Sequence, residues 1–298
     1  CHIITQTAGR GPPPLVPDPT RDVDRRVGSP VVVANSRVLI ASANLRDLGG
    51  LPTIDGRRVR TGQLFRSGHL AELNRAEAAI LNGLGLRTII DLRRPSEVAK
   101  SPTPDLDGVD RLWISVSPED SEFVVAADLL AGKQPEKLNT TAMIEDYFRN
   151  TVTNRLVGYQ PVFEAATDPN RQPLLFHCMA GKDRTGFVAG VLLRLLGVCQ
   201  EEVMADYLLT NEILSYRMAY RMDQIRLRIA QQSGVEPDQV DESYLEGVRA
   251  MLYTQPSFLQ ASFDAITNKF GNWEAFRRDG LGINDTKFSA FLDGILDQ

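Results

Sequence analysis

The chain has 298 residues, 43% hydrophobic and 24% charged, with 33 basic against 38 acidic side chains and a net charge of −5. That composition is a folded globular protein's and excludes a disordered or fibrous chain. The slight acidity argues against a nucleic-acid partner, which calls for a basic surface, but not against a phosphorylated ligand, which needs only a few local cations.

Residues 1–29 contain Pro12, Pro13, Pro14, Pro17 and Pro19 and then a charged stretch, and read as an extended tether. Residues 30–298 read as a single domain. Segments 30–33 and 37–40 are expected as short strands joined at Asn35 and Ser36, and 44–50 as a turn-rich segment. Residues 64–66 are expected as a strand. Asn74, with Glu77 three residues on, caps a helix over 75–83. Strands are expected at 87–92, 112–114 and 174–177, the last apolar throughout and so buried on both faces. A helix follows over 185–196, and from 201 onward the pattern is almost wholly helical. Strands alternating with helices give an α/β fold, a central sheet flanked by helices with a helical C-terminal third.

The chemistry concentrates in His177-Cys178-Met179-Ala180-Gly181-Lys182-Asp183-Arg184-Thr185-Gly186, between the buried strand and the buried helix. A strand, a short loop and a helix N-terminus aim N–H groups and the positive end of the helix dipole at one point, where an anion binds. Gly181 and Gly186 let the backbone curl around it. Cys178 faces that point, and the loop N–H groups favour its thiolate, which can attack phosphorus and form a phosphocysteine. Arg184, six residues on, offers a planar fork that fits two phosphate oxygens. His177 is expected to orient the loop, and Thr185 to donate a hydrogen bond to the sulfur. Asp183 is the first candidate general acid, Asp91 at a strand end the second, and Asp146 the third. A nucleotide-binding P-loop is excluded, because Asp183 follows Gly181-Lys182 where Ser or Thr would bind magnesium.

The loop resembles the signature of the bacterial tyrosine/phosphoinositide phosphatases typified by mycobacterial tyrosine phosphatase B. The likeness extends to Asn44-Leu45-Arg46-Asp47-Leu48-Gly49-Gly50, Leu64-Phe65-Arg66-Ser67, Asp91-Leu92-Arg93, Asp206-Tyr207-Leu208-Leu209-Thr210-Asn211, Phe270-Gly271 and Gly280-Leu281-Gly282, about residues 31–298. It implies a protein-tyrosine-phosphatase-like fold and a phosphoprotein or phosphoinositide substrate: phosphotyrosine, with phosphoserine/threonine and phosphoinositides as further candidates. It implies that Lys182 supplies a second cation and Asp183 the acid. Met179 stands where family members vary and shapes the pocket floor. Some members carry a helical lid; here 123–130 and 143–148, within 117–150, read either as such a lid or as packing helices.

Other residues carry plainer expectations. Arg46 and Asp47 are expected as an ion pair, Arg66 as structural, and Arg93 and Arg94 as candidates for the site rim. Arg217, Arg221 and Arg228 share one helical stripe, a solvated face or a landing place for acidic substrate. Cys199 reads as a small core residue rather than a resolving thiol. The three cysteines, Cys1, Cys178 and Cys199, and the three histidines show neither disulfide nor metal-ligand spacing, so no metal or cofactor is expected. No apolar run approaches the roughly 20 residues that span a bilayer. Cys1 suggests either the lipidated terminus of an exported bacterial protein, attached to a membrane through it, or a trimmed cytoplasmic chain. Two rival functions remain: a phosphoprotein-binding pseudophosphatase, and an arsenate-reductase-like redox enzyme that would need a resolving thiol.

Overall fold

The computed structural model describes residues 36–118 and 139–297. The expected tether, the strand at 30–33, the stretch 123–130 and Cys1 lie outside the described residues. No helix among those described is long and apolar enough to cross a membrane.

Six strands form one sheet: β1 (Val38–Ile40), β2 (Leu45–Asp47), β3 (Leu64–Ser67), β4 (Thr88–Asp91), β5 (Asp110–Trp113) and β6 (Leu174–His177). Their order is β1-β2-β3-β6-β4-β5; the first three pair antiparallel, and β3, β6, β4 and β5 run parallel. The apolar run Leu174–His177 takes the centre, where both faces are covered. β2 is a correction, since 44–50 reads as turn. Asn44 adopts φ 52°, tolerable for Asn, and its N–H closes the β1–β2 turn onto the Ala41 carbonyl. The three residues after it then extend as a fully buried strand.

The two-residue period of the strands sorts side chains between two cores. Leu64, Ile90, Leu174 and Phe176 enter the large core beneath the helices. Phe65, Ile89 and Leu175 enter a smaller one, closed by Leu81 of α1 (Arg75–Gly83). Asn74 caps α1 and Glu77 completes the capping box, as the sequence suggests. A short α2 (Pro95–Lys100) follows β4.

The large core holds α3 (Thr140–Thr153), α4 (Leu156–Ala166), α5 (Asp183–Leu195), α6 (Gln200–Ile213) and α9 (Pro256–Phe270), with α7 (Ser215–Ser233) and α8 (Glu242–Leu252) beside them and α10 (Asp285–Ile295) near the C-terminus. Phe148 of α3 stacks on Phe258 of α9 and meets the Tyr207 ring of α6 edge-on. Residues 143–148 thus belong to a helix whose Ile144, Tyr147 and Phe148 are core side chains. α5 is buried from Thr185 to Leu193, the all-round apolar helix expected after the loop.

One polar cluster sits inside this apolar frame. The Asp206 carboxylate of α6 accepts from Arg37 at 3.0 Å, Arg46 at 3.2 Å and Arg66 at 2.7 Å. Arg46 is therefore not the partner of Asp47, as the sequence suggests. Neighbouring strand residues point to opposite faces, so Arg46 turns toward α6, while Asp47 accepts from the Gly49 and Gly62 N–H groups. Burial works against the Asp206 charge, but the three guanidiniums outweigh it and hold the carboxyl well below the usual range. Replacing one member of a buried ionic cluster leaves the others uncompensated and costs about 3–5 kcal/mol. Asp206→Asn is expected to lower the free energy of unfolding by that amount in a denaturant titration; a loss under about 1 kcal/mol, a surface pair's worth, would contradict the assignment.

Candidate active site

The segment after β6 runs along the C-terminal edge of the parallel strands, where open α/β sheets place their ligands. Its shape is set from behind. The His69 N–H donates to the Met179 carbonyl at 3.0 Å. Asn44 Nδ2 donates to the carbonyls of Ala180 at 3.1 Å and Gly181 at 3.2 Å, and Arg66 Nη2 to that of Gly181 at 2.9 Å. In a trans peptide the C=O and the next N–H point opposite ways. Anchoring three successive carbonyls from behind therefore turns the N–H groups of Ala180, Gly181 and Lys182 outward, as an oxyanion cradle requires. Gly181 has φ +67°, and a Cβ there would lie 2.6 Å from the Ser67 backbone. Gly186 packs so closely on the Tyr207 ring that a Cβ would lie 2.7 Å from it.

In front of the loop is a cavity of about 290 Å³ whose lining includes Cys178, Met179, Ala180, Lys182, Asp183 and Arg184. These six are sequence-predicted site residues brought to one place. Arg94, Glu97, Ser117, Tyr147, Arg221, Met251 and Leu252 complete the wall. Cys178 is buried at the floor, following β6 with the side-chain parity of Leu174 and Phe176.

The same parity sends His177 to the other face. It is fully buried, with Nδ1 3.2 Å from the Cys178 carbonyl and Nε2 3.7 Å from Asp91. Burial lowers its pKa to about 4 against the pull of Asp91, so the imidazole is neutral at pH 7. Asp91, its partner across the sheet, does not line the cavity. Both its oxygens accept from Arg93, at 2.8 and 2.7 Å. Burial raises the Asp91 pKa, but Arg93 and His177 outweigh it and the net shift is downward. An ionised, fully engaged carboxylate on the far face of the sheet is no proton donor to the cavity, which corrects the second candidate acid. Arg93 is likewise withdrawn from the rim, with a fully buried side chain. Asp146 is exposed on α3, paired with Arg149 and outside the cavity. The Thr185 hydroxyl donates to the Ser67 carbonyl at 3.4 Å rather than to the sulfur of Cys178.

Asp183 fits the acid's part. It opens α5, and the Lys182 ammonium lies 3.5 Å from its Oδ1. Burial raises its pKa and outweighs the lowering by Lys182 and Arg184. Lys182 Nζ also donates to the Met251 carbonyl at 2.5 Å, tying the loop to the end of α8.

Arg184 is held by a residue the sequence reading missed. Its Nη1 and Nη2 donate to the two oxygens of Glu97 at 2.6 and 2.8 Å, and Nη1 also faces the Leu92 carbonyl at 3.5 Å. Of five guanidinium hydrogens this leaves the one on Nε and the second on Nη2, adjacent and parallel, the edge that grips two phosphate oxygens. Burial opposes the Arg184 charge, but Glu97 and Cys178 more than offset it, so its pKa is raised. Burial likewise opposes the Glu97 charge, yet Arg184 and Arg94 bring its pKa down to about 2. The signal was in the sequence: Arg94-Pro95-Ser96-Glu97 has Pro at a helix start and Glu at N3, and Glu97 bonds back to the Arg94 N–H at 2.8 Å. What it did not disclose was that α2 lies against Arg184.

A chain-wide match complements this geometry. The family model described as "Tyrosine phosphatase family" matches residues 39–297. The chain belongs to that family. A tyrosine-protein phosphatase of Cupriavidus necator is 34% identical over 244 residues, 81% of this chain and 82% of its own length. The triple specificity protein phosphatase PtpB of Mycobacterium tuberculosis is 27% identical over 267 residues, 82% of this chain and 93% of its own. A tyrosine-protein phosphatase of Nostoc commune is 29% identical over 156 residues, half of this chain and 48% of its own length. The resemblance read from the loop and its outlying motifs is thereby established, and with it a hydrolase of the protein-tyrosine phosphatase kind.

Among the described residues the redox rival has no resolving thiol within reach. Cys178 precedes α5, and Cys199, half-buried, lies beyond the other end of that 13-residue helix. At 1.5 Å per residue α5 is about 20 Å long, far beyond the roughly 7 Å between Cα atoms that a disulfide tolerates. In this phosphatase Gly181→Ala is expected to leave the fold intact while lowering kcat/KM on p-nitrophenyl phosphate about a hundredfold, because the loop must leave Ser67. Retained activity with an unchanged melting curve would show that the loop does not depend on that contact.

Proposed function

We propose that this phosphatase hydrolyses phosphotyrosine through a phosphocysteine on Cys178. What carries the reading is the convergence of Cys178, Asp183 and the unoccupied edge of Arg184 on one cavity at the start of α5. The phosphate rests on the loop N–H groups and the Nε/Nη2 edge of Arg184. The thiolate attacks phosphorus in line with the leaving oxygen, Asp183 delivers the proton to that oxygen, and tyrosine departs. A water, deprotonated by the Asp183 carboxylate that has just given up its proton, then attacks phosphorus. The sulfur leaves as thiolate and inorganic phosphate is released. Lys182 adds positive charge beside the acid. His177 and Thr185 act behind the loop, holding its entry and exit.

Phosphotyrosine is favoured by the cavity wall: Tyr147, Met179, Met251 and Leu252 offer apolar surface to an aromatic ring. Breadth toward phosphoserine/threonine and phosphoinositides is a secondary reading, which the relative named a triple specificity phosphatase and the cations Lys182 and Arg221 favour.

Cys178→Ser is expected to abolish turnover of p-nitrophenyl phosphate and of phosphotyrosine peptides; residual turnover would remove the nucleophile assignment. Asp183→Asn is expected to slow aryl phosphates with poor leaving groups about 10²–10⁴-fold and those with good ones much less. Its pH profile adds a second check. An acid works protonated, and burial moves the Asp183 pKa upward, so kcat/KM should fall as pH rises through that pKa. Asp183→Asn should lose this alkaline limb, and a limb that survives would assign it to another group.

A further inference from the structure

The stripe Arg217, Arg221 and Arg228 on α7 is not used by the chemistry above. Its members have separate fates. Arg217 is held at the β1–β2 turn and α1 side, donating to Glu72 at 3.4 Å and to the Ser42 carbonyl at 3.5 Å. Arg221, one turn on, lines the catalytic cavity beside Lys182, Met251 and Leu252.

The other cations of that wall each have an acidic side chain of the same wall beside them. Arg184 and Arg94 share Glu97, and Lys182 faces Asp183. Arg221 makes no ion pair with any described residue, and Glu72, whose charge reaches it, is already engaged by Arg217. A cavity that takes up one phosphate thus keeps a further positive charge, a guanidinium able to form two parallel hydrogen bonds to a carboxylate or phosphate.

We infer that Arg221 is a specificity-determining residue that reads a second anionic group on the substrate, carried by the residue next to the phosphotyrosine. This rests on the phosphotyrosine reading of the cavity. A peptide is favoured over an inositol headgroup because the ring of an inositol needs several polar partners, whereas Tyr147, Met179, Met251 and Leu252 offer mainly apolar surface. The second anion is an acidic side chain or a neighbouring phosphate; both present oxygens to the same fork.

The test compares kcat/KM, followed as the appearance of the unphosphorylated tyrosine side chain in the peptide, on three phosphotyrosine peptides that carry Glu, phosphoserine or Gln at the adjacent position. The wild-type enzyme is expected to prefer the Glu or the phosphoserine peptide over the Gln peptide by about threefold to tenfold at low ionic strength. That ratio should narrow as salt is added. In Arg221→Gln it should fall to about one, and Arg221→Lys should recover part of it, because charge remains while the fork is lost. Which of the two peptides is preferred tells a carboxylate partner from a phosphate one. An unchanged ratio in Arg221→Gln, or no preference in the wild type, overturns the inference. So does an Arg221→Gln defect confined to phosphoinositide vesicles. If the wild type does not dephosphorylate the tyrosine of the Gln peptide, it is the phosphotyrosine reading that fails.

Discussion

Three guanidinium groups converge on the buried carboxylate of Asp206, and two of them go on to fix the shape of the loop that follows β6. Arg66 spans directly from Asp206 to the Gly181 carbonyl, and Arg46 spans through the Asn44 side chain, which holds the carbonyls of Ala180 and Gly181. A loop of this kind is otherwise unstable, because it must leave several N–H groups unpaired until an anion arrives. The cluster supplies that stability from the carbonyl side. It ties α6, which contributes nothing to the cavity wall, to the geometry of the reaction. Three guanidiniums share one carboxylate, and carbonyl and hydroxyl oxygens take their other donors, so loss of Asp206 would leave the buried arginines without their one counter-charge.

The second layer of organisation is electrostatic. Glu97 holds Arg184 by its outer edge, and so fixes the direction in which the remaining edge points before substrate arrives. Such presetting lets the guanidinium stabilise developing charge without reorganising. Two carboxyls on one cavity wall are thus moved apart by their surroundings. Glu97, between two arginines, is kept ionised, while Asp183, with burial dominant, is moved toward its protonated form. Separation of this kind leaves one carboxyl charged beside Arg184 and brings the other nearer to holding a proton.

Much of the fold and of the cavity lining was legible in the chain itself. An unbroken apolar strand, a ten-residue motif with glycines at two tight positions and a buried helix are local features, and their order brings Cys178, Asp183 and Arg184 to one cavity. The capping of α1 and the α/β alternation are local as well. Local pattern was a poorer guide at 44–50, where polar residues with glycine nearby suggest only a turn. Leu45–Asp47 is a strand there because Arg46 and Asp47 find partners at Asp206 and at the Gly49 and Gly62 N–H groups.

The tertiary structure decided which charged groups face the reaction. His177 adjoins Cys178 in sequence and Asp91 pairs with His177 on the neighbouring strand, but both face the opposite side of the sheet, because strand side chains alternate and a one-residue step reverses their direction. Glu97 and Arg221 are 81 and 43 residues from Cys178 in the numbering of the chain, yet α2 and α7 bring them to its cavity. Spacing along a chain fixes what is reachable within one turn or one strand. Contacts between separate elements depend on how the whole core closes, so Asp206, Glu97 and Arg221 acquire their roles only in the folded molecule.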